Sequence, residues 1–394
     1  MKNLWVKTIH QSWFVVAMCV GIIAGAVLAM VFRINYFWSP VWILLAVVLL
    51  IVSSLKPKIS FVVLAFLAGM ILIFFRAADT LKNGETAAET SQNFVIDVRD
   101  WFAERINSLI PEPENKLGKS YLLGMKSGLP KDLSENLRTV GLTHIVVASG
   151  AHLSILVGIA RKIFGKISRS MGFLFSVLFN LFFMEMVGWT PSIMRAGIMS
   201  ILTLITWYVG RKIAPLRMIV MVAALTLMIN PGFLNNLGWI LSFASYAGIM
   251  ELGPRLTKMF YGNKKPGMIA ETVITTVAAT LMTLPVTLYY FGMVSLISVI
   301  ANILILPTLP YAMGLVFLTG VVAGLPGVEM ILAWLAKTLL DFHIYVVEFF
   351  GSMREFLVEI PPYQPWIFLI YVLILIPLVY SWQKRYRIKK HVLQ

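Results

Sequence analysis

Cysteine is all but missing from this chain: Cys19 is the single one. An internal disulfide is therefore excluded. Charge is scarce as well, at 13% of residues against about 25% in soluble domains. Acid is scarcer than base, with 18 Asp and Glu against 33 Lys and Arg, a formal net charge of +15. Histidine occurs five times, at His10, His144, His152, His343 and His391. One cysteine and five scattered histidines predict no metal centre, because zinc needs three or four ligands brought together. What the chain does have is hydrocarbon. Hydrophobic residues make up 59% of it and the mean hydropathy is +0.84. This balance excludes a soluble enzyme, a disordered protein and a disulfide scaffold, and leaves a polytopic membrane protein. The 394 residues, at roughly 20 per span, hold at most about a dozen spans. The predicted fold class is an all-α, polytopic transmembrane helical bundle of about 11–12 spans, with amphipathic interfacial helices.

The first apolar run, 13–32, follows Lys2 and Lys7 and has no clean small-residue cleavage site. It reads as a retained helix rather than a signal peptide. Further runs fall near 38–53, 59–75, 142–160, 171–188, 192–209, 215–230, 236–252, 268–291, 294–325 and 365–382. Six polar segments, 1–12, 54–58, 161–170, 210–217, 253–267 and 383–394, hold 20 of the 33 Lys and Arg and no Asp or Glu. Basic residues collect in cytoplasmic loops, so both termini are expected inside and residues 76–140 outside. Orientation thus accounts for most of the positive charge. The outer segment is nearly neutral. In it Phe94, Val98, Phe102, Ile106 and Leu109 recur at helical spacing, which predicts an amphipathic helix on the outer surface, ended by Pro111 and Pro113. Pro130 then opens a short helix with Leu133, Leu137 and Val140 on one face.

Residues 329–352 place Lys337, Asp341, Tyr345, Glu348 and Ser352 on one stripe. The cost of charge inside a span favours an interfacial helix there, with 294–325 a helical pair broken at Pro307 and Pro310. No internal repeat is visible, so nothing supports an inverted-repeat transporter. The expected organisation is a three-helix membrane region at 1–75, a short extracytoplasmic segment at 76–116, a membrane channel domain at 117–325, and a final region at 326–394 with an amphipathic helix, a last span and a basic tail.

Polar residues inside apolar runs need a reason. His144, Ala148 and His152 are spaced to share a helix face, while Gly150, Ser154 and Gly158 form an adjacent small-residue stripe suited to close helix packing. The imidazoles either bond to neighbouring backbone or face a cavity. Ser149 beside either histidine makes a nucleophile and base, but no third orienting group is present, so no catalytic residue and no cofactor is assigned. Thr190 and Pro191 suit a helix start, with Arg195 one turn in. Arg195 either pairs with Glu185 or faces a polyanion. Gly238 and Ser242 share a face that reads as helix packing. Thr272, Thr276, Thr280, Thr283 and Thr287 follow steps of four, four, three and four, a hydroxyl stripe suited to a pore wall, with Pro285 placed to kink it. Asn302, just before Pro307, suits a backbone-capping or pore-lining role.

Five elements in order resemble those of the ComEC-type competence proteins, the inner-membrane DNA channels of natural transformation. They are LLGMKSGL at 122–129, GLTHIVVASGAH at 141–152, PSIMRAGIM at 191–199, NPGFLNNLGWILSF at 230–243 and ANILILP at 301–307. The resemblance covers about 117–325. Ala151 stands where the family usually has Leu, and Trp239 where it usually has Phe. Many members also carry an OB-type domain and a metallo-β-lactamase-like domain, and the 65-residue outer segment is too short to hold the first of these. The resemblance implies a multi-pass protein of the cell inner membrane that passes single-stranded DNA into the cytoplasm. His144, Ser149, His152, Arg195, the five threonines and Asn302 would line its path. It also implies partners: an external DNA receptor or pseudopilus, a separate nuclease and a cytoplasmic motor. A transporter of another anionic polymer or lipid-linked substrate is the alternative, and an intramembrane hydrolase a further one.

Overall fold

The computed structural model describes residues 11–32, 66–70, 73, 94–125, 128–146, 150–210, 213–262 and 264–359. The runs expected at 38–53 and 365–382, both termini and Ser149 lie outside the described residues. The helices, in order, are α1 Gln11–Phe32, α2 Phe94–Leu109, α3 Glu114–Leu123, α4 Lys131–Thr139, α5 Thr143–Val146, α6 Gly150–Phe164, α7 Arg169–Val187 and α8 Pro191–Val209. They continue as α9 Pro215–Ile229, α10 Leu237–Ala247, α11 Gly253–Tyr261, α12 Met268–Phe291, α13 Ser298–Ile305, α14 Leu309–Val322 and α15 Val328–Gly351. A π-helical turn, Gly248–Leu252, joins α10 to α11. The fold is the expected all-α helical bundle of a multi-pass membrane protein. One short antiparallel ladder interrupts it, β1 Met293–Ser295 against β2 Leu357–Glu359. Three-residue strands carry no readable period, so sequence patterning missed them.

Among the described residues, α7, α8, α12 and α15 are long and apolar enough to cross a membrane. The pair α13 and α14, bent by 47° at its break, adds a fifth candidate if it counts as one span. The break at 306–308 lies where Pro307 removes a backbone donor. Pro285, by contrast, sits inside an unbroken α12.

The residues fall into two compact units. The first is drawn from Met1–Gly128, His144–Phe243 and Pro310–Leu340. In it α7 packs on α6 and α8, α8 on α6 and α9, and α9 on α1. Local chemistry sets the helix ends. The Ser168 hydroxyl accepts from the Met171 N–H at 3.0 Å to open α7. Pro191 and Pro215 occupy the first turns of α8 and α9. Thr190 sits at the N-cap of α8 without a side-chain capping bond, so proline rather than threonine sets that start. Asn236 accepts from the Trp239 N–H at 3.2 Å and opens α10. Helix α2 forms as predicted, and it is packed: Phe102 stacks on Phe317 of α14 with ring centroids 5.8 Å apart. Gly320 makes room for that ring, since a Cβ there would stand 2.4 Å from it.

The second unit is drawn from Leu129–Thr143, Ala244–Leu309 and Asp341–Gln394. Leu133, Leu137 and Val140 are buried, as the spacing after Pro130 predicts. The π turn packs on α12 through Gly248, where a Cβ would meet the Ala278 carbonyl oxygen at 2.4 Å.

Helix α15, expected at the interface, is among the helices long and apolar enough to cross a membrane. Its outward face carries Ile331, Trp334, Leu335, Phe342, Tyr345 and Phe349, with Trp334 and Tyr345 each 64% exposed. Its Lys337 turns inward to Glu114. Glu348 is exposed beside Tyr345 and Phe349. The expectation rested on the cost of charge in a span, and the ion pair reduces that cost at Lys337.

Candidate functional site

The polar interior of the first unit is built around Arg195. One turn into α8, this residue is 8% exposed. Its Nε donates to the Ser242 hydroxyl on α10 at 2.5 Å. The Ser192 hydroxyl donates to the same oxygen at 3.2 Å. The guanidinium also lies 5.9 Å from the Phe243 ring centroid. Ser242, predicted as a packing residue, is thus an acceptor for a buried cation. Glu185, expected as a partner of Arg195, accepts from the Trp189 indole N–H at 2.7 Å.

Close packing brings α6 to this cluster. A Cβ on Gly150 would lie 3.0 Å from both the Ala196 Cβ and the Arg195 Nη2. Gly158 has open space in the same direction, and Gly238 meets only Asn236, at 3.1 Å. The Ser154 hydroxyl back-bonds to the Gly150 carbonyl at 2.8 Å and stays exposed. Of the predicted small-residue stripe, then, Gly150 alone makes a close helix contact.

His152 is fully buried and stacks on Tyr121 of α3, with centroids 6.0 Å apart. Burial raises the Tyr121 phenol above its usual range. His144 lies on α5 and His152 on α6, and the residues that join the two helices, 147–149, lie outside the described ones. Ser176 and Asn180, one turn apart on α7, are also fully buried. The Asn180 amide donates to the Gly197 carbonyl at 3.2 Å, while its own oxygen and the Ser176 hydroxyl have no hydrogen-bond partner. Spacing did not single out these two, because each is isolated among apolar neighbours in sequence.

The Trp239 indole N–H donates to the Thr226 hydroxyl at 3.0 Å. A phenylalanine at this position would lack that donor, so the departure from the family pattern has a local partner.

In the second unit the threonine stripe lies on α12. Thr272 and Thr283 bond back to Met268 and Ala279 carbonyls at 2.9 and 3.0 Å, the usual way a membrane helix carries threonine. Thr276 is buried at 8% exposure, and Thr280 and Thr287 are half-buried. Asn302 is buried and its amide donates to the Ser298 carbonyl at 2.8 Å, a backbone-capping role just before the break. The Thr308 hydroxyl, within the break, donates to the Ile305 carbonyl at 2.9 Å. It also shares a hydrogen bond with Nε2 of the buried His343, 2.8 Å away. A lone histidine in α15 gave no sequence signal for this contact. Arg195, His152 and Ser242 thus belong to the first unit, and the threonines and Asn302 to the second. Among the described residues no three or more His, Cys, Asp or Glu side chains group to hold a metal.

Comparison with known proteins bears on this polar interior. The family described as Competence protein matches residues 121–385. The chain belongs to the Competence protein family. Its matched region contains Tyr121, His152, Arg195, Ser242, the threonine stripe and Asn302. ComE operon protein 3 of Bacillus subtilis (strain 168) is 25% identical over 207 residues, which is 52% of this chain. The chain spans about a quarter of that relative, 26% of its length. No solved structure matches the chain.

Proposed function

We propose that this chain is a membrane channel that passes single-stranded DNA across the inner membrane during DNA uptake in natural transformation. Membership of the Competence protein family carries this reading. The interior of the first unit supports it chemically: it holds a buried guanidinium bonded to a serine hydroxyl, and a stacked Tyr121–His152 pair. A single strand offers phosphates and stackable bases, and cations, hydroxyls and aromatics are the groups that match them. The chain acts by conduction rather than by bond-breaking chemistry. Both termini are cytoplasmic in this reading, following the basic bias of the six inner segments. An external receptor or pseudopilus delivers the strand, a separate nuclease removes its complement and a cytoplasmic motor draws it in.

Gene deletion tests the reading, with uptake of labelled DNA as the readout. Uptake should be lost on deletion, restored by the intact gene, and not restored by Arg195→Gln at equal membrane abundance. Undiminished uptake in the deletion strain overturns it.

A further inference from the structure

Helix α3 has the sequence ENKLGKSYLL, which reads as a polar surface segment. In the fold all of its residues except Lys116 and Lys119 are buried. A buried polar helix is costly unless its groups are matched. Glu114, with 8% of its side chain exposed, faces the Lys337 ammonium at 3.3 Å. Lys119 donates to the Asn107 amide oxygen at 2.6 Å. Gly118 seats the helix against Val316 and Leu340, where a Cβ would lie 3.1 and 3.3 Å away. Tyr121 closes over His152. One group is not matched: the Asn115 side-chain oxygen is buried without a hydrogen-bond partner. Past its end, Gly124 at φ 70° and Gly128 at φ 101° supply turns that other residues adopt reluctantly.

The two members of the ion pair differ in access. The Lys337 side chain is 39% exposed and Glu114 is shielded. An outside anion can therefore reach the lysine without first reaching the carboxylate. A phosphodiester carries the same single charge as the carboxylate, and lysine binds phosphate as a point charge.

The geometry points to α3 as a plug latched by the Glu114–Lys337 ion pair, released when a nucleic-acid phosphate takes Lys337 in place of Glu114. This rests on the first unit being the wall of a path for a polyanion. Opening breaks no covalent bond; one anion replaces another at the ammonium.

The test uses the full chain in vesicles of phosphatidylcholine and phosphatidylglycerol, with efflux of entrapped calcein as readout. Glu114→Gln and Lys337→Gln should each raise efflux by roughly tenfold, because each removes one side of a partly buried pair. The charge swap of Glu114→Lys with Lys337→Glu should return efflux to near the wild-type level. Single variants that insert and leak no more than wild type overturn the latch, as does a swap that leaks like the singles. A single-stranded oligothymidylate should raise wild-type efflux and not raise that of Lys337→Gln further; no response in wild type overturns the phosphate exchange. If the charge variants misfold, a cross-link decides. Gly118→Cys with Val316→Cys, in a Cys19→Ser background, ties α3 in its seat. Oxidised, this protein should take up no DNA, with recovery on reduction, and uptake unaffected by the lock overturns the plug. Loss of uptake on gene deletion is independent of every efflux arm, so failure of the latch and failure of the channel reading are distinguishable.

Discussion

At the scale of single residues, the weight of the site falls on a serine. Ser242 Oγ accepts from both Arg195 Nε and Ser192 Oγ in a part-buried setting. A hydrogen bond to a charged group contributes about 1.5–3 kcal/mol, more than a neutral one. Ser242→Ala removes this acceptor from Arg195 while changing little volume. Thermal unfolding in detergent should show a loss of about 1.5–3 kcal/mol. A loss within error would mean that the guanidinium is held mainly by other groups. Arg195 itself was legible in the sequence as a cation inside a span. Its acceptor was not, because a serine 47 positions away reads as one more small packing residue.

At the scale of elements, the contacts of α6 separate two glycines that the sequence treats alike. A methyl on Gly150 would press on Ala196 and Arg195, each at 3.0 Å, while one on Gly158 meets nothing within 4 Å. Gly150→Ala should cost about 1–3 kcal/mol through overpacking. Gly158→Ala should be neutral or gain about 0.5–1 kcal/mol, since alanine loses less backbone entropy in a helix. Equal effects in the two variants would mean that α6 does not approach α8 as described. On α12 the threonine stripe makes a second element-scale prediction. Thr276→Leu and Thr280→Leu should both lower DNA uptake at normal membrane insertion if the stripe lines a wet path, because leucine narrows and dewets it. Val277→Leu, between them and half-buried, is the control and should keep uptake. Full uptake in both threonine variants removes the stripe from the mechanism and leaves the Arg195 cluster as the remaining candidate. Own-helix bonds at Thr272 and Thr283 already satisfy those two hydroxyls, so the test is best placed at Thr276 and Thr280.

At the scale of the whole molecule, the charge distribution carries the proposed orientation. The basic segments at 161–170, 210–217 and 253–267 contain no acid. In a Cys19→Ser background, an impermeant maleimide added outside should label Ser91→Cys and spare Lys264→Cys. The reverse pattern overturns the orientation. Helix α15 offers a separate measurement of depth. A spin label at Trp334→Cys, a position 64% exposed on the apolar face, should collide more with oxygen than with a water-soluble nickel chelate if that face meets lipid. Greater nickel contact would return α15 to an aqueous or interfacial position.

The sequence by itself determined the class of the molecule, its expected orientation and where many helices begin. Composition, basic bias and proline placement act locally or as sums, so they are legible without a fold. Apolar runs predicted α7, α8, α9 and α12, and the Pro307 and Pro310 pair predicted the break between α13 and α14. Only the tertiary structure decided which polar residues meet. The burial of α3 depends on Lys337, more than 200 positions later, and the roles of Ser242 and His343 depend on partners on other helices. Likewise, the faces of α15 could not be assigned from its stripe of charge alone. A charged residue in a span has the same letter whether it faces lipid, water or a partner. What separates these cases is the free energy of desolvation offset by a contact, and that contact is set by packing between distant segments.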